Sequence, residues 1–289
     1  KNKPPDMALL NELNRNVHRY ELRGEETHRF ILMSDLHWDN PHCDRKLLKR
    51  HLDRALEENI PVLLNGDTFC MMQGKYDPRR SKSNILEEHN KSNYIDAVIE
   101  DAVRWFKPYA KIIHWAGYGN HETSIVRNCE TDPLRRWADL MNATNESQIQ
   151  VGGYGGWLIF KLNKSNGSGG SFMLKYFHGA GGGGPVTRGV IQNQRMMASI
   201  DGADAIWMGH VHEMYTMRNT IECLDQRHQV RLRDVLHIRT PTYKEEYEDG
   251  YMEFHVERGR PPKPKGAYEL VLKYNNTTNR IDAHTIAWT

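Results

Sequence analysis

Short apolar runs, each stopping at a polar or glycine-containing turn, punctuate the first half of the chain. Phe30-Ile31-Leu32-Met33 stops at Ser34-Asp35, the run over 60–64 stops at Asn65-Gly66-Asp67, and the run over 111–115 stops before Gly119-Asn120-His121. Between them, apolar residues recur every three or four positions: Leu47, Leu48, Leu52 and Leu56 within 45–58, then Ile95, Val98, Ile99, Val103 and Phe106 within 94–106. This pattern predicts strands alternating with helices, and so a parallel β core. Ahead of it, Pro4-Pro5-Asp6 followed by Leu9, Leu10, Leu13, Val17 and Tyr20 predicts a helix over residues 1–26 that covers a sheet edge. The second half predicts a hairpin (157–162 and 172–177) around a Gly/Ser/Asn-rich turn, a helix near 190–200 and a strand at 205–208. Strand-like runs follow at 215–223, 230–238, 268–274 and 280–286, split by a basic, proline-rich loop over 258–265 that reads as a stiffened connection. The organisation expected is an N-terminal helical extension over residues 1–28 and one mixed α/β domain over 29–289.

A chain of 289 residues can bury a core without disulfide or metal staples. Its apolar runs are no longer than four residues, so neither a membrane span nor a secretory leader is expected. With 39 basic and 37 acidic residues the formal net charge is +2, too weak a field to announce a nucleic-acid or membrane partner. The four cysteines, Cys43, Cys70, Cys129 and Cys223, are widely spaced, which excludes a zinc ribbon and a disulfide framework and fits a reducing, cytoplasmic compartment. Fifteen histidines are more than a core needs.

Five strand-like runs end at potential metal ligands: Asp35-Leu36-His37, Gly66-Asp67, Gly119-Asn120-His121-Glu122, His178-Gly179 and Gly209-His210-Val211-His212. In an open parallel sheet the carboxyl ends of the strands border the ligand crevice, so these blocks can meet although they are remote in sequence. Carboxylates, imidazoles and one amide, without thiolates, suit manganese, iron or zinc in open coordination. They are too many for one catalytic ion and suit two ions about 3.5–4 Å apart, a pair that lowers the pKa of water and clamps the oxygens of an in-line displacement at phosphorus.

Taken in order, the five blocks resemble the calcineurin-like metallophosphoesterases over residues 29–215. The resemblance implies an α/β fold, a β-sandwich flanked by helices with a binuclear metal site at the strand carboxyl ends. It implies one ion on Asp35, His37 and His212, with Asp67 bridging to a second on Asn120, His178 and His210. It gives His121 a catalytic role beside the leaving group, as a general acid or a transition-state stabiliser. Manganese is the first choice, with iron, zinc or nickel as alternatives. A phosphoester substrate follows, with a phosphodiester of a nucleotide or nucleic acid preferred, and a phosphomonoesterase or a silent scaffold as alternatives. Many members carry an acid three residues after the bridging aspartate to orient the histidine; here that residue is Cys70, leaving Glu122 or Asp77 as candidates for the role. The stretches 76–80 and 178–188 are similar to phage and prophage members.

Substrate contacts are expected from Arg79 and Arg80, in a basic loop with Lys75 and Lys82, and from Arg188, after the glycine-rich loop over 179–184. His42, His51, His89, His228, His255 and His284 are read as ordinary core or surface residues.

Overall fold

The computed structural model describes residues 10–14, 16–23, 27–71, 84–145, 147–163, 169–247, 256, 259 and 261–289. The predicted alternation is present. β3 (His28–Met33), β4 (Val62–Asn65) and β5 (Ile113–Gly117) run parallel, joined by α1 (Arg45–Glu57) and α2 (Tyr94–Phe106). With the short β6 (Gln150–Val151) and the antiparallel β12 (Ala267–Asn275) and β13 (Arg280–Trp288), they form a six-stranded sheet in the order β13-β12-β3-β4-β5-β6. A second sheet of seven strands adds β1 (Leu10–Asn14), β2 (Val17–Arg23), β7 (Gly155–Asn163), β8 (Gly169–Phe177), β9 (Ala205–Met208), β10 (Tyr215–Leu224) and β11 (Val230–Arg239), in the order β1-β2-β7-β8-β9-β11-β10.

Three apolar layers follow from strand alternation. On β3, Phe30 and Leu32 face the second sheet while Ile31 and Met33 face helices, and all four are buried. Between the sheets, Phe30, Leu63 and Trp115 meet Leu158, Phe160, Leu174, Tyr176 and Trp207. Outside the six-stranded sheet lie α1, α2 and two helices the apolar spacing did not predict, α3 (Asn120–Cys129) and α4 (Pro133–Asn145). Outside the seven-stranded sheet, Ile206, Met208 and Val235 pack against Met196 and Met197 of α5 (Val190–Ser199). The result is a sandwich of two mixed sheets with helices on both outer faces.

The helix expected over residues 1–26 is not what residues 10–23 form; residues 1–9 lie outside the described set. Leu10–Asn14 and Val17–Arg23 make β1 and β2, and β2 runs parallel to β7 from Val17↔Trp157 to Arg23↔Asn163. The reason is a competing period of two: His18, Tyr20 and Leu22 are buried while their neighbours are not. Tyr20 stacks on Phe160 at 5.4 Å and meets Phe30 edge-on at 5.2 Å, so the strand supplies core to both sheets.

Candidate metal centre

All five ligand blocks emerge at one edge of the sandwich. β3, β4 and β5 deliver Asp35 and His37, Asp67, and Asn120 and His121; β8 and β9 deliver His178, then His210 and His212. Past the strand ends, the first two loops stay zipped together: Asp35, His37 and Trp38 donate their amides to the carbonyls of Gly66, Asp67 and Thr68 at 2.9–3.0 Å. Asn65 ties the sheets, its amide group donating to the carbonyls of Trp207 at 3.3 Å and Phe177 at 3.5 Å.

Five of the seven candidate ligands have left-handed backbone: Asp35 (φ 53°), His37 (46°), Asp67 (49°), His210 (73°) and His212 (56°). Such a conformation costs a non-glycine residue on the order of 1–3 kcal/mol, and it turns each side chain sharply out of its strand into a common space. Gly66 shows how tight that space is, because a Cβ there would run into His178 Nδ1 and stand 2.7 Å from the Gly119 Cα.

The donor atoms form two adjoining groups, Asp35–His37–His212 and Asp67–His178–His210, with the atoms of each group within 4.8 Å of one another. His212 Nε2 lies 3.3 Å from Asp35 Oδ1 and 3.4 Å from His37 Nε2. His178 Nε2 lies 3.2 Å from Asp67 Oδ2 and 3.9 Å from Asp35 Oδ1, so it links the groups. Asn120 Oδ1 lies 2.8 Å from His210 Nδ1, beside the second group. Hard carboxylate and borderline imidazole donors, convergent and mostly buried, fit divalent cations.

Other contacts aim the imidazoles. His178 Nδ1–H donates to the Asn65 carbonyl at 2.7 Å, and His212 Nδ1 faces Glu246 Oε2 at 3.3 Å, the carboxylate–histidine arrangement that fixes a metal-binding ring. Glu246 also receives Lys244 Nζ at 2.9 Å. Neither residue was legible in the sequence. They lie on the segment after β11, with no motif and no spacing relation to His212.

Electrostatics follow this packing. Burial pushes Asp35 upward, but the charges of His178 and His212 outweigh it and hold it at about 2. Burial lowers His178 and His212, yet Asp67 and Asp35 raise the first to about 9, and Glu246 and Asp35 raise the second to about 10. Burial, with His121 close by, keeps His37 well below its ordinary value and therefore neutral.

Glu122, expected as a possible orienting group for His121, does something else. Its carboxylate accepts from the amides of Gly119 (2.8 Å), Asp67 (3.1 Å) and Phe69 (3.0 Å), joining the second and third blocks. His121 Nδ1 instead meets the backbone carbonyl of Cys70 at 2.6 Å. Asp77, the other candidate, lies outside the described residues, as do Arg79, Arg80, Lys75 and Lys82. Arg188 is exposed at a left-handed turn (φ 45°) just before α5, its amide donating to the Gly184 carbonyl at 2.8 Å. The glycine-rich loop does reach the site, where the Gly181 carbonyl lies 2.9 Å from His210 Nε2. His37, Cys70 and His121 make a third group of potential ligands beside these two, and elsewhere buried His89, which pairs with Asp101 at 3.0 Å, makes a fourth with Glu88 and Asp101.

No protein-family model matches the chain, and no curated protein matches it. Among solved structures it is similar to GAP50, described as the anchor in the inner membrane complex of Plasmodium, at 10% identity over 91% of this chain and 85% of that one, with a TM-score of 0.43. It is also similar to the calcineurin-like phosphoesterase YfkN from Bacillus subtilis, at 13% identity over 91% and 90%, with a TM-score of 0.32. No helix among the described residues is long and apolar enough to cross a membrane.

Proposed function

We propose that the chain is a calcineurin-like metallophosphoesterase that hydrolyses phosphoesters with two divalent cations, manganese first among them. The observation carrying this reading is the pair of adjoining donor groups, Asp35–His37–His212 and Asp67–His178–His210. Asp67 is read as the shared ligand and Asn120 as a further ligand of the second ion. When bound, such a pair supplies a nucleophile from water near neutral pH and neutralises charge on the phosphoryl oxygens.

The chain's own groups supply the rest. The Asn65 carbonyl and the Glu246 carboxylate hold His178 and His212 with their Nε2 atoms turned inward. His121 donates from Nδ1 to the Cys70 carbonyl, so its Nε2 is read as the nitrogen that, in the imidazolium form, hands a proton to the departing alcohol and is left with a lone pair. That contact also speaks for an active enzyme over a silent scaffold, since the thiol at position 70 does not leave His121 without an orienting partner.

The substrate is read as a phosphodiester of a nucleotide or nucleic acid, with Arg188, Arg79 and Arg80 gripping non-reacting phosphates; this preference rests on the basic loop in the sequence. All four cysteines are free, which suits the reducing cytoplasm. Turnover of bis(p-nitrophenyl) phosphate against p-nitrophenyl phosphate, with manganese added, tests the reading. Faster diester cleavage is expected; faster monoester cleavage would make the chain a phosphomonoesterase, and no cleavage of either would favour the scaffold.

A further inference from the structure

The contact between His121 and Cys70 has a second half. A carbonyl oxygen can only accept, so the 2.6 Å approach places a hydrogen on His121 Nδ1. That carbonyl belongs to the peptide group whose N–H is Met71's, and the Met71 N–H donates to Asp39 Oδ2 at 2.8 Å. Asp39 Oδ1 accepts from the Cys70 N–H at 2.6 Å, and the Tyr94 hydroxyl donates to Oδ2 at 3.2 Å. Asp39 is 1% exposed, and its carboxylate has no motif role in the five ligand blocks. A buried anion therefore sits at the positive end of one peptide dipole, and His121 sits at its negative end. Hydrogen bonds in such a chain polarise one another, so the anion makes the carbonyl a stronger acceptor. The clamp also holds an awkward turn: Met71 is left-handed (φ 41°), a conformation that persists only when neighbouring contacts enforce it. With Glu122 on the amides of Asp67 and Phe69, the turn over 67–71 hangs from two buried carboxylates.

We propose that Asp39 is the positioning residue for His121, acting through the Cys70–Met71 peptide group to fix the imidazole tautomer and aim Nε2 at the leaving group. The catalytic consequence rests on the hydrolase reading, whereas the clamp itself can be read without any turnover.

Asp39→Asn keeps the side chain's shape but removes its charge and puts a donating NH2 in place of one accepting oxygen, so one of the two backbone N–H bonds of the clamp is lost with the charge. Against a phenyl phosphodiester, whose leaving group needs a proton, the variant is expected to lose roughly thirtyfold in kcat. Against the p-nitrophenyl diester, whose leaving group departs unprotonated, the loss is expected to stay under about threefold, with KM and ion content unchanged. Equal losses on both esters, or none, would overturn the proposal. Nitrogen-15 spectra of the histidine rings provide the readout free of activity: His121 is expected as the Nδ1–H tautomer in the wild type and as a mixture in Asp39→Asn. An unchanged spectrum in the variant would count against the clamp. Should the variant fail to fold, the wild-type spectrum decides alone, the Nε2–H tautomer overturning the proposal. A wild type inactive on every ester but showing the Nδ1–H form would sink the hydrolase reading and leave the clamp standing.

Discussion

Asp35, His37, Asp67, His210 and His212 all take backbone conformations that ordinary residues avoid, and the loops carrying them are pinned by amide–carbonyl bonds between blocks. Strain of this kind is retained where the turned-out side chains are needed. His121→Ala is expected to keep both ions and lose about 10²–10⁴ in turnover, measured by elemental analysis beside a diester assay. Asp67→Ala, by contrast, is expected to lose both ions. Glu246→Gln removes the anion behind His212 and is expected to weaken manganese binding by about 10–100-fold in a calorimetric titration. The candidate ligands could be picked out of the sequence because strand ends mark them; Glu246, Lys244 and Asp39 could not. Their roles depend on which loops the fold brings together, and a carboxylate in a loop carries no local signature of its partner.

At the scale of elements, helices with a clear apolar stripe were legible almost to the residue, as α1 and α2 show. α3 and α4 were not, since α3 begins inside the third ligand block and its buried face includes Glu122 and Ser124 beside Ile125. The N-terminal hairpin misled for a different reason. Leu10, Leu13, Val17 and Tyr20 fit a helical period by spacing, while the pairing of β2 with β7 selects the alternation of His18, Tyr20 and Leu22. Because Tyr20 lies between the sheets, Tyr20→Ala is expected to cost about 3–5 kcal/mol in urea unfolding, comparable to losing a core phenylalanine. An appended surface segment would give less than about 0.5 kcal/mol.

For the whole molecule, histidines with opposite shifts set the response to pH. Burial together with Arg50 and Arg54 lowers His51 to about 4, and burial with Arg239 lowers His237 to about 4. Above pH 6.5 neither folded nor unfolded chain holds these protons; as pH falls from 6.5 toward 4 only the unfolded chain takes them up, so stability drops. His178 and His212, raised to about 9 and about 10, act the other way: their contribution is complete below pH 6.5 and is lost as pH rises through 9 and 10. Thermal melts of chelator-treated protein should therefore be most stable near pH 6.5, and saturating manganese, which displaces those two protons, should remove the alkaline decline. A curve whose alkaline limb is the same with and without manganese would contradict this assignment.

The most direct measurement is the number of cations each chain holds. Purified protein equilibrated with excess manganese, freed of unbound metal and assayed by elemental analysis, should contain two ions per chain. One ion, or none, would contradict the binuclear centre and with it the hydrolase reading.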